Sequence, residues 1–213
     1  MFVIVYQNSV ILGPMRWNRF RFENEIAEEL EIQVTLPDRN DNLQAIVINQ
    51  DLKILPVVGT PEPQYNSKIQ FLNGPFWQFT ETQAISSYVA QDKTIEAVKN
   101  QLKSEVANER YRKEISGVKT TIQNTEITVE TDRETRNVFV QKFTLMGEND
   151  TVNWKFPETW LTLTKADLGA VVAAGVQHIQ SQFDWEMNKV TEIDACTTLT
   201  QLDQVVIRED EQL

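Results

Sequence analysis

Glu130, Asp132 and Glu134 stand close together in the stretch ETDRE. Acids spaced like this can bind Mg²⁺ or exchange protons with a substrate. The same stretch also has the form of a helix start, with Thr131 as N-cap and Glu134 at the third helical position of a capping box. Acids at that end answer the positive pole of the helix, which explains them without a metal or a substrate. His178 is the single histidine. Its helical neighbours four residues away, Ala174 and Gln182, are uncharged, so no carboxylate orients it. No serine or cysteine is placed to be its nucleophile. A structural histidine packed on or near Trp185 is expected. Cys196 is the single cysteine, which rules out a disulfide within the chain and fits a reducing compartment. With one histidine beside it, a Cys/His zinc site is also ruled out, and a buried free cysteine acts as a small hydrophobe. The chain has no Gly-rich phosphate loop, GxSxG elbow or HExxH. No catalytic residue, cofactor site or metal ligand is expected. A wall hydrolase that works with two acids, Asp132 and Glu134, is the remaining catalytic alternative.

A second group of residues suggests recognition. In RWNRFRF, Arg16, Arg19 and Arg21 interleave with Trp17, Phe20 and Phe22. As a strand, this stretch would place Arg19 and Arg21 on one face and Phe20 and Phe22 on the other. Internal ion pairs to the following glutamates account for such a pattern. Protein docking also accounts for it, because arginine and aromatic residues are enriched at interface hot spots. Phe76, Trp77 and Phe79, near Phe71, form a second aromatic cluster that either caps a core or stays exposed. The nine residues Arg16, Trp17, Arg19, Phe20, Arg21, Phe22, Phe76, Trp77 and Phe79 are the expected protein interface.

The charge balance narrows the partners. Twenty basic and 31 acidic residues give a net charge of −11. That field repels phosphate backbones and anionic lipid heads, so neither nucleic acid nor membrane is an expected partner. Glu28, Glu29 and Glu31, and Glu209, Asp210 and Glu211 near the end, read as solvated acidic faces. No apolar run reaches membrane-spanning length. The start, MFVIVYQNSVILG, lacks a basic leader and reads as two strands round a turn rather than a signal peptide.

These residues need a scaffold, and the pattern predicts an α+β fold. Residues 1–90 read as a β-rich docking domain of hairpins. FVIVY and VILG flank an Asn8–Ser9 turn, and AIVIN and LKILPVV flank Gln50–Asp51. Between these hairpins, ENEIAEELEIQVTLP starts as a possible short helix and ends in EIQVTL, which alternates like a strand. Asn73-Gly74-Pro75 reads as a turn. Residues 91–213 read as an α+β domain of hairpins packed on one long helix. A helix with Ile95, Val98, Leu102 and Val106 on one face runs to about Gly117. Hairpins follow across Gln123–Asn124 and Pro157–Glu158. TRNVFVQKFTLMG between them is rich in β-branched and aromatic residues and only weakly helical. Thr164 and Asp167 cap a long helix with one apolar stripe, Leu168, Val172, Val176, Ile179, Phe183, Val190 and Ile193. A short helix, TQLDQVV, follows.

The order of segments from residue 95 to 207 carries a resemblance. NERYRKEISGV lies on a charged helix, a hairpin leads into TDRET, and VNWKFPETWLTLT forms a Trp-bearing hairpin. QHIQSQFDWE lies on the long helix, followed by TLTQLDQVV. Together they resemble a domain of uncharacterised function common in tailed bacteriophages, encoded among tail-fibre, baseplate and tail-fibre-assembly proteins. The hairpins and ILP segment of the first half are similar to small fibre-assembly and fibre-adaptor proteins. The resemblance transfers no catalytic residue. It implies a structural virion component of the phage tail, made in the host cytoplasm and acting through contacts with other tail, baseplate or fibre proteins in many copies. The alternative it implies is a fibre-assembly chaperone that is not retained in the virion.

Overall fold

Phe2, Val3, Ile4 and Val5 are all buried, although side chains of a strand alternate between its two faces. Such a run needs cover on both sides, and the first half of the chain supplies it. The computed structural model describes residues 1–38, 40 and 44–208. It comprises two units, Met1–Asp92 and Lys93–Leu213.

In the first unit, β1 (Phe2–Tyr6) turns into β2 (Ser9–Met15). The turn residues are Gln7 and Asn8, with φ of 48° and 61°, the left-handed pair that a two-residue hairpin requires. The turn therefore sits one residue earlier than expected. Next comes a helix, α1 (Arg19–Leu30), where the alternation of arginine and phenylalanine predicts a strand. The reason is local: the Asn18 side chain accepts the Arg21 N–H at 3.1 Å and caps the helix. Phe22 and Ile26, one helical turn apart, are then both fully buried. The helix ends where Glu31 adopts φ 56° and its N–H bonds the Ala27 carbonyl. The expected strand EIQVTL is irregular chain. It folds back so that the Leu36 N–H donates to the Glu23 carboxylate at 2.7 Å and Leu36 enters the core.

β3 (Ile46–Val47) and β4 (Leu52–Gly59) pair antiparallel round the expected Gln50–Asp51 turn. β5 (Gln70–Phe79) and β6 (Ala84–Asp92) form a long hairpin. The expected turn at Asn73-Gly74-Pro75 is instead an irregularity within β5, whose register shifts between Asn73 and Phe76. Gly74 has φ 140°, and a Cβ there would lie 2.8 Å from the Ser87 carbonyl oxygen. The sheet order is β2-β1-β4-β6-β5, with β4 and β6 parallel. One face packs Phe2, Ile4, Leu52 and Ile54 against Phe22 and Ile26 of α1. Val3, Val5, Leu55 and Ala84 form a separate cluster with Trp77 and Phe79.

In the second unit, α2 (Ile95–Glu114) is capped by Thr94. Val98, Leu102 and Val106 are fully buried as their spacing predicts, while Ile95 is exposed. Gly117 follows at φ 82°, where an added Cβ would lie 3.1 Å from the Thr128 methyl carbon. β7 (Val118–Ile122) and β8 (Thr125–Val129) flank the expected Gln123–Asn124 turn, with φ of 51° and 62°. α3 (Arg133–Leu145) is a full helix despite its β-branched content. Its N-cap is Asp132, not Thr131. The Asp132 carboxylate accepts the N–H groups of Glu134 and Thr135, both at 3.0 Å. Thr131 is buried because its hydroxyl closes the turn after α2. It donates to the Glu114 carbonyl and accepts the Gly117 N–H.

β9 (Thr151–Lys155) and β10 (Trp160–Thr164) form the Trp-bearing hairpin. Its turn residue Glu158 accepts the Thr128 N–H at 3.0 Å and the Thr128 hydroxyl at 2.6 Å, fastening it to β8. α4 (Lys165–Ala195) starts at the expected Thr164–Asp167 capping box, and α5 (Leu199–Asp203) follows. Leu168 and Val171 of α4 bury against Ile122, Ile127, Phe139, Phe156 and Leu163. The fold is α+β, with a β-rich first unit of hairpins and a second unit of hairpins packed on the long helix.

The Asp132 and Asp167 carboxyls lie below the ordinary aspartate pKa of 3.8. Hydrogen bonding with Thr135 is the main cause for Asp132, and the Thr164 N–H for Asp167. A depressed folded pKa gives stability that is fully present above the unfolded value and is lost as pH falls through the folded one. Asp132→Ala should lower unfolding free energy by about 1 kcal/mol at neutral pH. Asp132→Asn should keep the cap and reduce the stability loss below about pH 4. Urea midpoints measured across that range check both.

Candidate functional site

The six expected residues of the first aromatic segment do not share one face. Asn18 and the helix it starts split them. Phe22 is fully buried and stacks on Trp17 at 5.2 Å, while Trp17 meets the edge of Phe2 at 5.2 Å. Phe22 thus serves the core and offers no surface to a neighbour, and Trp17 is half-buried. Arg19 bonds Glu23 at 2.9 Å and Asp38 at 2.5 Å, and Arg21 lies 3.8 Å from Glu25. The internal ion pairs expected from the following glutamates are therefore present, in helical geometry. Arg16 is exposed, and Phe20 is 72% exposed. In the second cluster Trp77 and Phe79 pack on the core, while Phe76 stays exposed.

The residues considered for chemistry have structural engagements of their own. Asp132 caps α3. His178 places Nε2 2.9 Å from the Lys113 carbonyl oxygen, while the Lys113 ammonium sits 4.1 Å from the centre of the Trp185 ring. His178 and Trp185 thus both engage Lys113, at the C-terminal end of α2. Cys196 is half-buried, with its thiol 3.4 Å from the Glu192 carbonyl. Glu28, Glu29 and Glu31 are exposed. The acids at 209–211 lie outside the described residues. Among the described residues no three His, Cys, Asp or Glu side chains gather to hold a metal ion. No described helix is long and apolar enough to cross a membrane.

A trough of about 550 Å³ opens between α3 and α4, within the size range of ligand and anchor pockets. Its location follows from how α4 is rotated. The expected stripe is buried at its ends, Leu168 and Ile193, but between them the buried positions are Val171 and Gly175, one residue round from the expected Val172 and Val176. Val172 and Ile179 are therefore half-buried, and Val176 and Phe183 are 59% and 45% exposed. Across the trough, Val140 of α3 is 46% exposed. The helices meet where Gly169 faces Phe143, a Cβ there coming 3.1 Å from its ring. At Gly175, in contrast, an added Cβ would meet nothing within 4 Å.

One end of the trough is built from charge. Glu114 of α2 is buried and is held by Arg110 from its own helix and by Arg136 of α3 at 3.0 Å. The Arg110 Nε is 3.1 Å from the Glu186 carboxylate of α4, although buried and out of line for a hydrogen bond. The Arg110 guanidinium also lies 4.7 Å from the centre of the Phe183 ring. Arg133 and Glu130 complete the rim. An adjoining hollow of about 510 Å³ shares Glu114, Arg133, Arg136 and Phe183 with the trough. The sequence signal was the spacing of Val172, Val176, Ile179 and Phe183, which marks an apolar face without saying whether the chain covers it.

A family model described as a domain of unknown function (DUF4376) matches residues 97–208, more than half of the chain and nearly all of the described second unit. No curated protein and no solved structure matches.

The split within the aromatic segment can be tested directly. Phe22→Ala should cost about 3–5 kcal/mol through the cavity it leaves, and Phe20→Ala should stay within about 0.5 kcal/mol. Chemical denaturation of the two variants measures the difference.

Proposed function

The chain belongs to the DUF4376 family, and we propose that it is a structural component of a phage tail, in the baseplate, fibre-attachment or adaptor region, working by contact rather than catalysis. The observation that carries this reading is apolar surface left uncovered in the second unit: Val140, Val176 and Phe183 along a trough beside a buried Arg–Glu cluster. Contiguous exposed apolar surface of this kind marks docking sites. The phage setting rests on the resemblance of the segments between residues 95 and 207. Phe20 and Phe76 offer further exposed rings in the first unit. Standard docking buries roughly 800 Å² per partner, and Arg and aromatic anchors supply much of its energy. The partners are other tail, baseplate or fibre proteins, met in many copies.

Mass spectrometry of purified virions of the encoding phage tests this. The protein should be present at a fixed ratio to the other tail proteins. Its absence from particles overturns the reading. Absence combined with a requirement for it when the fibre is co-expressed identifies an assembly chaperone instead.

A further inference from the structure

We infer that two matching Gly-Pro pairs, Gly13-Pro14 in β2 and Gly74-Pro75 in β5, keep the sheet of the first unit from adding strands of a second copy of the chain. This holds whatever the chain docks with.

A strand at the end of a sheet presents N–H and C=O groups that pair with any other strand. β2 and β5 end the sheet, and among the described residues each pairs with one strand only, β1 and β6. Such strands are commonly guarded by charge, lysine above all. Here SVILGPM and QFLNGPFWQF contain no charged residue, and Phe71 and Phe76 of β5 are exposed. β5 has 10 residues, beyond the roughly six or seven that suffice for strands to stack between chains.

The Gly-Pro pairs break both runs. They occupy the fifth and sixth positions of each strand, and both sit in bulges. β2 takes three steps, Leu12 to Met15, where β1 takes two, Ile4 to Phe2. β5 takes three, Asn73 to Phe76, where β6 takes two, Val89 to Ser87. The glycines make the bulges possible. Gly13 has φ 106° and Gly74 has φ 140°, and a Cβ would lie 2.7 Å from the Phe2 carbonyl oxygen at the first and 2.8 Å from the Ser87 carbonyl oxygen at the second. A bulge bends its strand and sharpens the twist, and the proline brings no N–H to the ladder. β5 is left with two runs of four residues, 70–73 and 76–79. Pro56, the other proline of the sheet, falls in β4 between the residues that pair β3 and those that pair β6. β3 has two residues, and the part of β6 that outruns β4 closes on the charge of Asp92. The bare edges of the sheet are thus short, bent or charged.

The bulges can be removed without turning side chains over. Leu12 and Met15 oppose residues two apart on β1, as Asn73 and Phe76 do on β6, so dropping the extra residue leaves each neighbour on its present face. Two full-length variants make the test: Gly13→Thr with Pro14 deleted, and Gly74→Thr with Pro75 deleted. Threonine suits a strand, and circular dichroism should show both folded. Sedimentation velocity at roughly 100 μM should show each associating at least about tenfold more tightly than the natural chain. Phe76→Lys, at an exposed position, should return the second variant to the natural chain's behaviour, because charge on the edge then replaces the bulge as its guard. Pro75→Thr, which restores the N–H and keeps the bulge, should raise association by a smaller factor and decides the matter if the deletions do not fold. Folded deletion variants that associate no more than the natural chain overturn the inference. So does association that Phe76→Lys leaves unchanged or, where the deletions do not fold, a Pro75→Thr chain that behaves as the natural one.

Discussion

A carboxylate withdrawn from water has to be met by cations or hydrogen-bond donors, or it destabilises the fold around it. Glu114 imposes that demand on the second unit. Its side chain is held by Arg110 and Arg136, and its backbone carbonyl accepts the Thr131 hydroxyl. Arg110 reaches on to Glu186 of α4. One buried acid therefore fixes the end of α2 against the start of α3 and the middle of α4, and that junction forms the charged end of the trough. Removing one partner of such a cluster strands a charge, which costs far more than the cluster contributes when whole. Glu109, one turn earlier on α2, repeats the pattern at smaller scale with Arg112 and Arg208. Its carboxyl is held below the ordinary range, chiefly by Arg112.

Several of the acids that make the chain so negative serve as fastenings. Glu23 receives the Leu36 N–H and pairs with Arg19, tying an irregular segment to α1. Glu158 receives both donors of Thr128 and ties one hairpin to the other. Asp167 closes the capping box of α4 and also accepts from Gln123. The carboxyls of Glu23, Glu158 and Asp167 lie below their ordinary values, with a backbone N–H or the Thr128 hydroxyl as the main cause. Composition reveals the net charge but not this use of it, because the donors are distant in sequence.

Legibility tracked the range of the interaction. The Gln123–Asn124 turn and the Thr164–Asp167 box depend on a few adjacent residues and are readable directly. So is the buried face of α2, which follows a single period. The first helix was obscured because RFRF satisfies a strand's alternation over four residues, whereas Asn18 and the Phe22–Ile26 spacing decide the matter over a longer window. Asn73-Gly74-Pro75 has the composition of a turn, yet β6 continues the pairing past it and makes it an interruption within β5. The candidate trough was half legible. The apolar stripe of α4 can be counted, but its rotation against the hairpins is set by tertiary packing of Leu168 and Val171. That rotation decides which valines stay uncovered.

Gly175 separates two properties that most core positions bind together. A glycine inside a helix costs about 0.5–1 kcal/mol relative to alanine, so α4 gives up some intrinsic stability to keep this one site empty. Because no described atom beyond its own helix backbone lies within 4 Å of where a Cβ would stand, a methyl group could occupy the site without repacking the layer beneath. The contour of this surface can thus change with a single codon while the scaffold stays constant.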